Sequence, residues 1–436
     1  MRYVIKKPSV AAEQSTVCEI VPRQNAERCV REEFGFARKN GALVAGFGAA
    51  EVGLEFPQGE IPVRTCALKT LFGVAYALVC KSGKIYHCGA GERVFAPTGV
   101  VLSAEPVVAY AFDAEDAYVI SDGRQTAVFR AGGVFAAREI PAFSAAAYFY
   151  GRLWIVPKNS PRILLFSAPQ TVRDFSPALP GGGNIELPDP RGDILALRAC
   201  GDYLYVFRER GLQRLFARGK EIEFDVNEEF SCSRVYPQTV AEEGGRLFWL
   251  AEDGLYLFDG KLRSFGENGF GGFAAAEDFF PSAAVAYGQY FLCVHMHTGT
   301  GEARGVFAID LRDGKTQRVL TEAERVFSCN GEAYAAFSGK VEKLVYGGAS
   351  TRCAVYELDN PLKNGVLSEL RMGGNGVFAV TFESERGKRV TEVNLVGKES
   401  AVRVGLAGFR YRCEVRSYGA ACELRNMSVR FSTKRG

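Results

Sequence analysis

The chain has 436 residues, 47% of them hydrophobic and 24% charged, with 53 Lys and Arg against 50 Asp and Glu. That length and apolar content exclude disorder as the main description. A formal net charge of +3 argues against a protein whose main task is to coat nucleic acid.

The first residues, MRYVIKKPSVAAEQST, are basic but have no apolar stretch behind them, so they do not read as a secretory signal. No apolar run is long enough for a membrane-spanning helix. Residues 1–60 combine a charged stretch, AERCVREEFGFARKNGALV, with a glycine-rich one, and are expected to form an N-terminal arm that packs on the rest of the chain or on a neighbour.

A repeat organises residues 61–350. Each copy opens with Gly and a polar residue, runs into an alternating aromatic and aliphatic strand, turns, and leaves by a second short strand. The plainest copies are GRLWIVPKNSPRILLF from Gly151, GDYLYVFRERGLQRLF from Gly201 and GRLFWLAEDGLYLFDG from Gly245. Weaker ones start at Gly73, Gly288 and Gly331, and a degenerate one starts near Glu115. The mean step of about 43 residues falls in the range of four-stranded propeller blades. Alternation in twos disfavours a helical solenoid, and Gly254 supplies the left-handed turn that its hairpin needs. These features predict an all-β chain with a six- or seven-bladed β-propeller.

From residue 351 the repeat is lost and six strand-like segments follow, with strict alternation over 401–406 and 409–413. Residues 351–436 are expected to form a C-terminal β-sandwich or jelly roll. They carry 15 basic and 9 acidic side chains, a net +6, which leaves −3 for the remainder of the +3 chain. An Arg-rich face here is either a solvated surface or a surface for an acidic partner or DNA.

Few residues offer chemistry. The histidines number three, His87, His295 and His297, so a His-dependent base has few candidates. His295 and His297 lie two apart on a strand and share a face, which makes them weak candidates for a metal pair. Cys293 is too far along the strand to complete the shell. The 12 cysteines show no CxxC spacing and sit in apolar runs, as buried, inert thiols suited to a reducing cytoplasm do. Arg191-Gly192-Asp193 spells an integrin-type tripeptide that short motifs produce by chance. Gly181–Gly183 and Gly269–Gly272 do not continue as phosphate-binding loops. The sequon Asn426-Met427-Ser428 is idle without secretion. No catalytic constellation or cofactor site emerges, and the expectation is a non-enzymatic scaffold that binds something large.

The stretch from Gly151 to Gly260 adds a resemblance. GRLWIVPKNSPRILLFSAPQTVRDFSP, with its Asp174-Phe175 segment, is followed by GGGNIELPDPRGDILALRACGDYLYVFRERGLQRLF and then by GGRLFWLAEDGLYLFDG. This succession resembles the tail hub, or nozzle, proteins of short-tailed phages, also called packaged-DNA stabilisation proteins. The alternating strand from Asn426 to Ser432 is similar as well. The resemblance implies a virion protein assembled in the host cytoplasm. Its protomers would form a ring below the portal and adaptor, closing the DNA channel and docking other tail proteins. It assigns no functional residue. The alternatives are a carbohydrate-binding or carbohydrate-cleaving propeller of a tail fibre or baseplate, and a host intracellular propeller that serves as an interaction platform.

Overall fold

The computed structural model describes residues 15–21, 30–39, 42–103, 105–113, 115–177, 181–188, 190–218, 223–230, 233–264, 281–298, 301–320, 322–348, 351–362, 365–418 and 422–433. Nearly every regular element in them is a strand. The chain divides into two compact units. One comprises Ala50–Thr316 and Leu320–Leu344; the other comprises Met1–Ala49, Gln317–Val319 and Val345–Gly436.

A β-propeller of seven four-stranded blades, in sequence order except at the last, takes up the first unit, with the ends of its sixth and seventh blades (residues 47–49, Gln317–Val319, Val345 and Tyr346) counted in the second. The blades span 62–101, 107–136, 143–186, 194–230, 241–264, 282–320 and 325–346. Each repeat copy read from the sequence is the second and third strand of one blade. The degenerate copy near Glu115 is a complete blade as well, which settles the number at seven.

The blade's first turn explains why the repeat starts with glycine. Phe149 pairs with Arg152, Ala286 with Gln289 and Cys329 with Glu332, leaving two-residue loops. In those loops Tyr150-Gly151, Tyr287-Gly288 and Asn330-Gly331 all take positive φ, between 51° and 76°. Two consecutive positive φ values define the hairpin turn whose twist matches that of paired strands. Glycine is needed at the second position, and the tyrosines accept the strained first one.

Neighbouring blades bury one another. Trp154, Val156, Leu204 and Leu215 join blades three and four, and Phe207, Trp249 and Leu247 join blades four and five. Phe248, Leu257, Tyr290 and Ile309 join blades five and six. Both tryptophans are fully buried, and the Trp154 indole donates to the Phe149 carbonyl at 3.0 Å.

The seventh blade is completed from elsewhere in the chain. Its strands Arg325–Cys329, Glu332–Phe337 and Lys340–Tyr346 are flanked by Phe47–Glu51. Residues 1–60, expected as an arm, therefore contribute strands where they are described. Ser15–Val21 pairs with Glu423–Thr433, Val30–Phe34 with Thr351–Asp359, and Phe36–Lys39 with Ala42–Ala45.

The second unit is a single, nearly closed, barrel-like sheet. Its corner lies in the 20-residue strand Gly365–Ser384. One edge of that strand pairs throughout with Gly387–Ala407. The other edge pairs first with Glu423–Thr433 and then with Arg410–Tyr418. A strand that changes partner turns a sheet over on itself. Both halves thus face one core of Leu367, Met372, Phe378, Phe382, Val415 and Phe431. Residues 351–436, expected as a β-sandwich or jelly roll, form most of this one barrel-like sheet. The alternation also appears as expected: Tyr411, Cys413 and Val415 point inward, whereas Arg410, Arg412 and Arg416 are exposed.

Two predictions test these ties. At the corner, Gly374 has φ +157°, and an added Cβ would stand 1.9 Å from the Glu423 carbonyl oxygen. Gly374→Ala should therefore destabilise the protein by about 1–3 kcal/mol in a denaturant titration, and an unchanged midpoint would contradict the corner. In blade two, Asp122 accepts from the Ser103 hydroxyl at 2.7 Å and amide at 2.6 Å, and from the Arg124 and Gln125 amides at 2.8 and 2.9 Å. Burial alone would raise its pKa, but these donors, the Ser103 hydroxyl first among them, hold it at about 2. A depressed carboxylate stabilises the fold above its unfolded pKa of about 4 and stops doing so as pH falls through its folded value. Asp122→Asn should remove about 2 kcal/mol at neutral pH and flatten the acid limb of the stability profile between about pH 4 and pH 2.

Candidate functional site

The two ends of a propeller differ, because every first strand runs the same way along the axis. First strands of successive blades lie side by side around that axis, save that the first strand of blade one meets the second strand of blade two, so all first turns meet at one end and all blade-to-blade connections at the other.

The connection end is tied shut. Glu105, which leads into blade two, accepts from the Gln238 side-chain amide of the blade five lead-in at 2.7 Å. Its other oxygen accepts from Arg325 of blade seven at 3.0 Å. Three blades spread around a seven-membered ring can reach one carboxylate only at the axis, so this contact spans the mouth. The Arg325 side chain is only 4% exposed. Further along, Arg198 of blade four donates to the Val240 carbonyl. Burial, and then the like charge of Arg64 on blade one, lower its pKa to about 10.

At the first-turn end, three of the seven loop tips are apolar. In blade one, Thr70 pairs with Gly73, so Leu71 and Phe72 form the loop tip. They are 99% and 87% exposed, and the tips of blades three and six expose Tyr150 and Tyr287 at 55% and 47%. Single exposed apolar residues are ordinary, and these tips stand on blades one, three and six rather than side by side.

Beside the Leu71-Phe72 tip a cleft of about 510 Å³ opens between blades one and seven. The segment 52–56 runs along it, held by the Glu55 amide on the Arg93 carbonyl at 2.7 Å. Its walls include Leu54, Phe56, Phe72, Tyr76, Phe327 and Tyr334. Phe56 stacks on Phe95 at 5.2 Å and Phe327 on Tyr334 at 5.7 Å, which stiffens both walls. Burial, followed by Cys329, Cys88 and Glu332, raises the pKa of Tyr76, so its phenol is neutral. Thr65 also lines the cleft. Its hydroxyl is buried without a hydrogen-bond partner among the described residues, at a cost of about 1–3 kcal/mol.

The residues singled out from the sequence lie elsewhere. His295 is half-buried on Gln289–Thr298 opposite Arg304, and the His297 side chain lies outside the described residues. His87 packs its ring 6.0 Å from Phe129. Among the described residues, no group of three or more His, Cys, Asp or Glu could hold a metal. Of the ten cysteines described, all but Cys18 are buried. Burial raises the pKa of Cys66, Cys80 and Cys329 to about 12.

The Arg191-Gly192-Asp193 turn is used internally. The Gly192 carbonyl accepts from the buried Arg208 at 2.9 Å, and Arg208 also donates to Gln213 at 2.9 Å. Gly182 and Gly183 allow close packing, since a Cβ on either would stand within 2.6 Å of Phe166. Gly269–Gly272 lie outside the described residues. On the C-terminal basic face, Glu414 sits between Arg412 and Arg416, and Asp359 lies 3.5 Å from Arg410, so local acids offset part of its charge. None of the described helices is long and apolar enough to cross a membrane.

No family model matches the chain, and no curated protein matches it either. Among solved structures it is similar to the computationally designed Ika8 protein, at 11% identity and a TM-score of 0.42, over 69% of this chain and 100% of that one.

The axial tie can be tested directly. Glu105→Ala removes the carboxylate from the buried Arg325 and should lower stability by about 1–3 kcal/mol in a denaturant titration. An unchanged midpoint would mean that Glu105 does not bridge the blades.

Proposed function

We propose that the protein is a non-enzymatic structural component of a phage virion, a tail hub or nozzle at the head–tail junction. The observation that carries the docking part of this reading is the first-turn end of the propeller. There Leu71, Phe72, Tyr150 and Tyr287 present apolar surface on a rigid frame. Support for the virion part comes from the succession of hairpins over 151–260 that resembles the nozzle proteins. In blade three, Asp174 accepts the Ser176 amide at 2.9 Å, and Phe175 packs against the core shared by blades two and three. The Asp-Phe segment in that succession therefore has a structural task.

In this role, copies of the chain form a ring in which two different surfaces of each protomer meet. The ring docks on portal or adaptor proteins and on further tail proteins, and packaged DNA lies in the channel of the ring. The axis of each propeller is not that channel, because Glu105 spans it. Assembly takes place in the host cytoplasm and the product resides in the virion tail. Light scattering of the purified chain, alone and with candidate portal and adaptor proteins, should give a closed multiple of 47.5 kDa or a ring formed on the partner. A strict monomer that ignores those partners would overturn the proposal.

A further inference from the structure

We propose that the cleft between blades one and seven is a binding site for a small apolar carboxylate, a molecule with an aryl or alkyl body and one anionic head. The proposal does not depend on the tail-hub reading. The volume of about 510 Å³ is that of ordinary small-molecule sites. The walls are aromatic and branched aliphatic, which selects an apolar body.

The polar groups at the cleft select the head. Thr65 places a buried hydroxyl in the lining with no partner among the described residues. Tyr76 lines the same space, and no hydrogen bond from its phenol to another described residue is found. The two charged residues of the lining are Glu92 and Arg93. Glu92 already accepts the Gly89 amide at 2.7 Å. Arg93 is exposed at the mouth and forms no ion pair among the described residues. A ligand with its body between Phe56, Phe327 and Tyr334 and its carboxylate at Arg93 would pair with the guanidinium and shield the apolar wall from water.

Decanoate and 1-naphthoate are suitable probes, with decanol as the uncharged control. Phe72 is 87% exposed, so Phe72→Trp places a fluorescent reporter at the rim without disturbing the core. Gly53 lines the cleft, and a Cβ added there meets nothing within 4 Å. Gly53→Trp should therefore fold and set a large ring at the cleft wall. The expected result is saturable binding of one molecule per chain, read by titration calorimetry and by the Phe72→Trp emission. Gly53→Trp should abolish it, and Arg93→Gln should weaken decanoate about tenfold while leaving decanol unchanged. Absence of saturable binding would overturn the proposal. So would binding that survives Gly53→Trp, because the probe would then sit elsewhere. Equal loss of decanoate and decanol on Arg93→Gln would overturn the assignment of the anionic head.

Discussion

A single blade cannot bury both of its faces, and the whole propeller depends on that constraint. Each sheet is apolar on both sides because its neighbours cover it, so the ring is stable only when the seventh blade meets the first. The chain closes the ring by flanking Lys340–Tyr346 with Phe47–Glu51. Gln317 reinforces this early strand by accepting the Phe47 amide at 3.2 Å and donating to its carbonyl at 3.1 Å. The edge of Tyr346 meets the Phe47 ring at 5.6 Å. Closure by distant residues ties the ends of the ring together, and the entropy of joining them is spent once for all seven interfaces.

From closure follows polarity. With every first strand running alike, one end collects the connections between blades and the other collects the two-residue turns. The connection end is bound at the axis by the contact of the buried Arg325 with the half-buried Glu105 carboxylate. The other end is free to vary, and there the chain places Leu71, Phe72 and two strained, exposed tyrosines. The left-handed tyrosines serve the hairpin turn itself, whereas the exposed apolar surface at these tips opposes stability. The cleft lies beside these turns at the seam between the last blade and the first.

The propeller was legible in the sequence because its repeat is a turn requirement. In blades three, five, six and seven, two consecutive left-handed residues between alternating strands leave a visible glycine. The closing strand was not legible. FGAAE is too short and too small in side chain for alternation to mark it, and its partner strand is remote in sequence. Glu105 was equally silent, since Gln238 and Arg325 stand 133 and 220 residues away. The cleft draws on separate segments for the same reason. One signal did exist: Leu71-Phe72 occupies a turn where Asn, Asp or Gly is ordinary, and an apolar pair at a loop tip is a sign of contact with something else. In the C-terminal unit the inward and outward faces could be read from alternation. The partner change between Asn375 and Phe378 could not, because a corner depends on backbone approach rather than on pattern.

Ring closure by the N-terminal strand is the central claim. Hydrogen exchange of the intact protein tests it most directly, by following the amides of Phe47–Glu51 beside those of Lys340–Tyr346. The account predicts that amides in both strands exchange slowly and are released together, through the same opening. Free exchange of Phe47–Glu51 while Lys340–Tyr346 stays protected would contradict it.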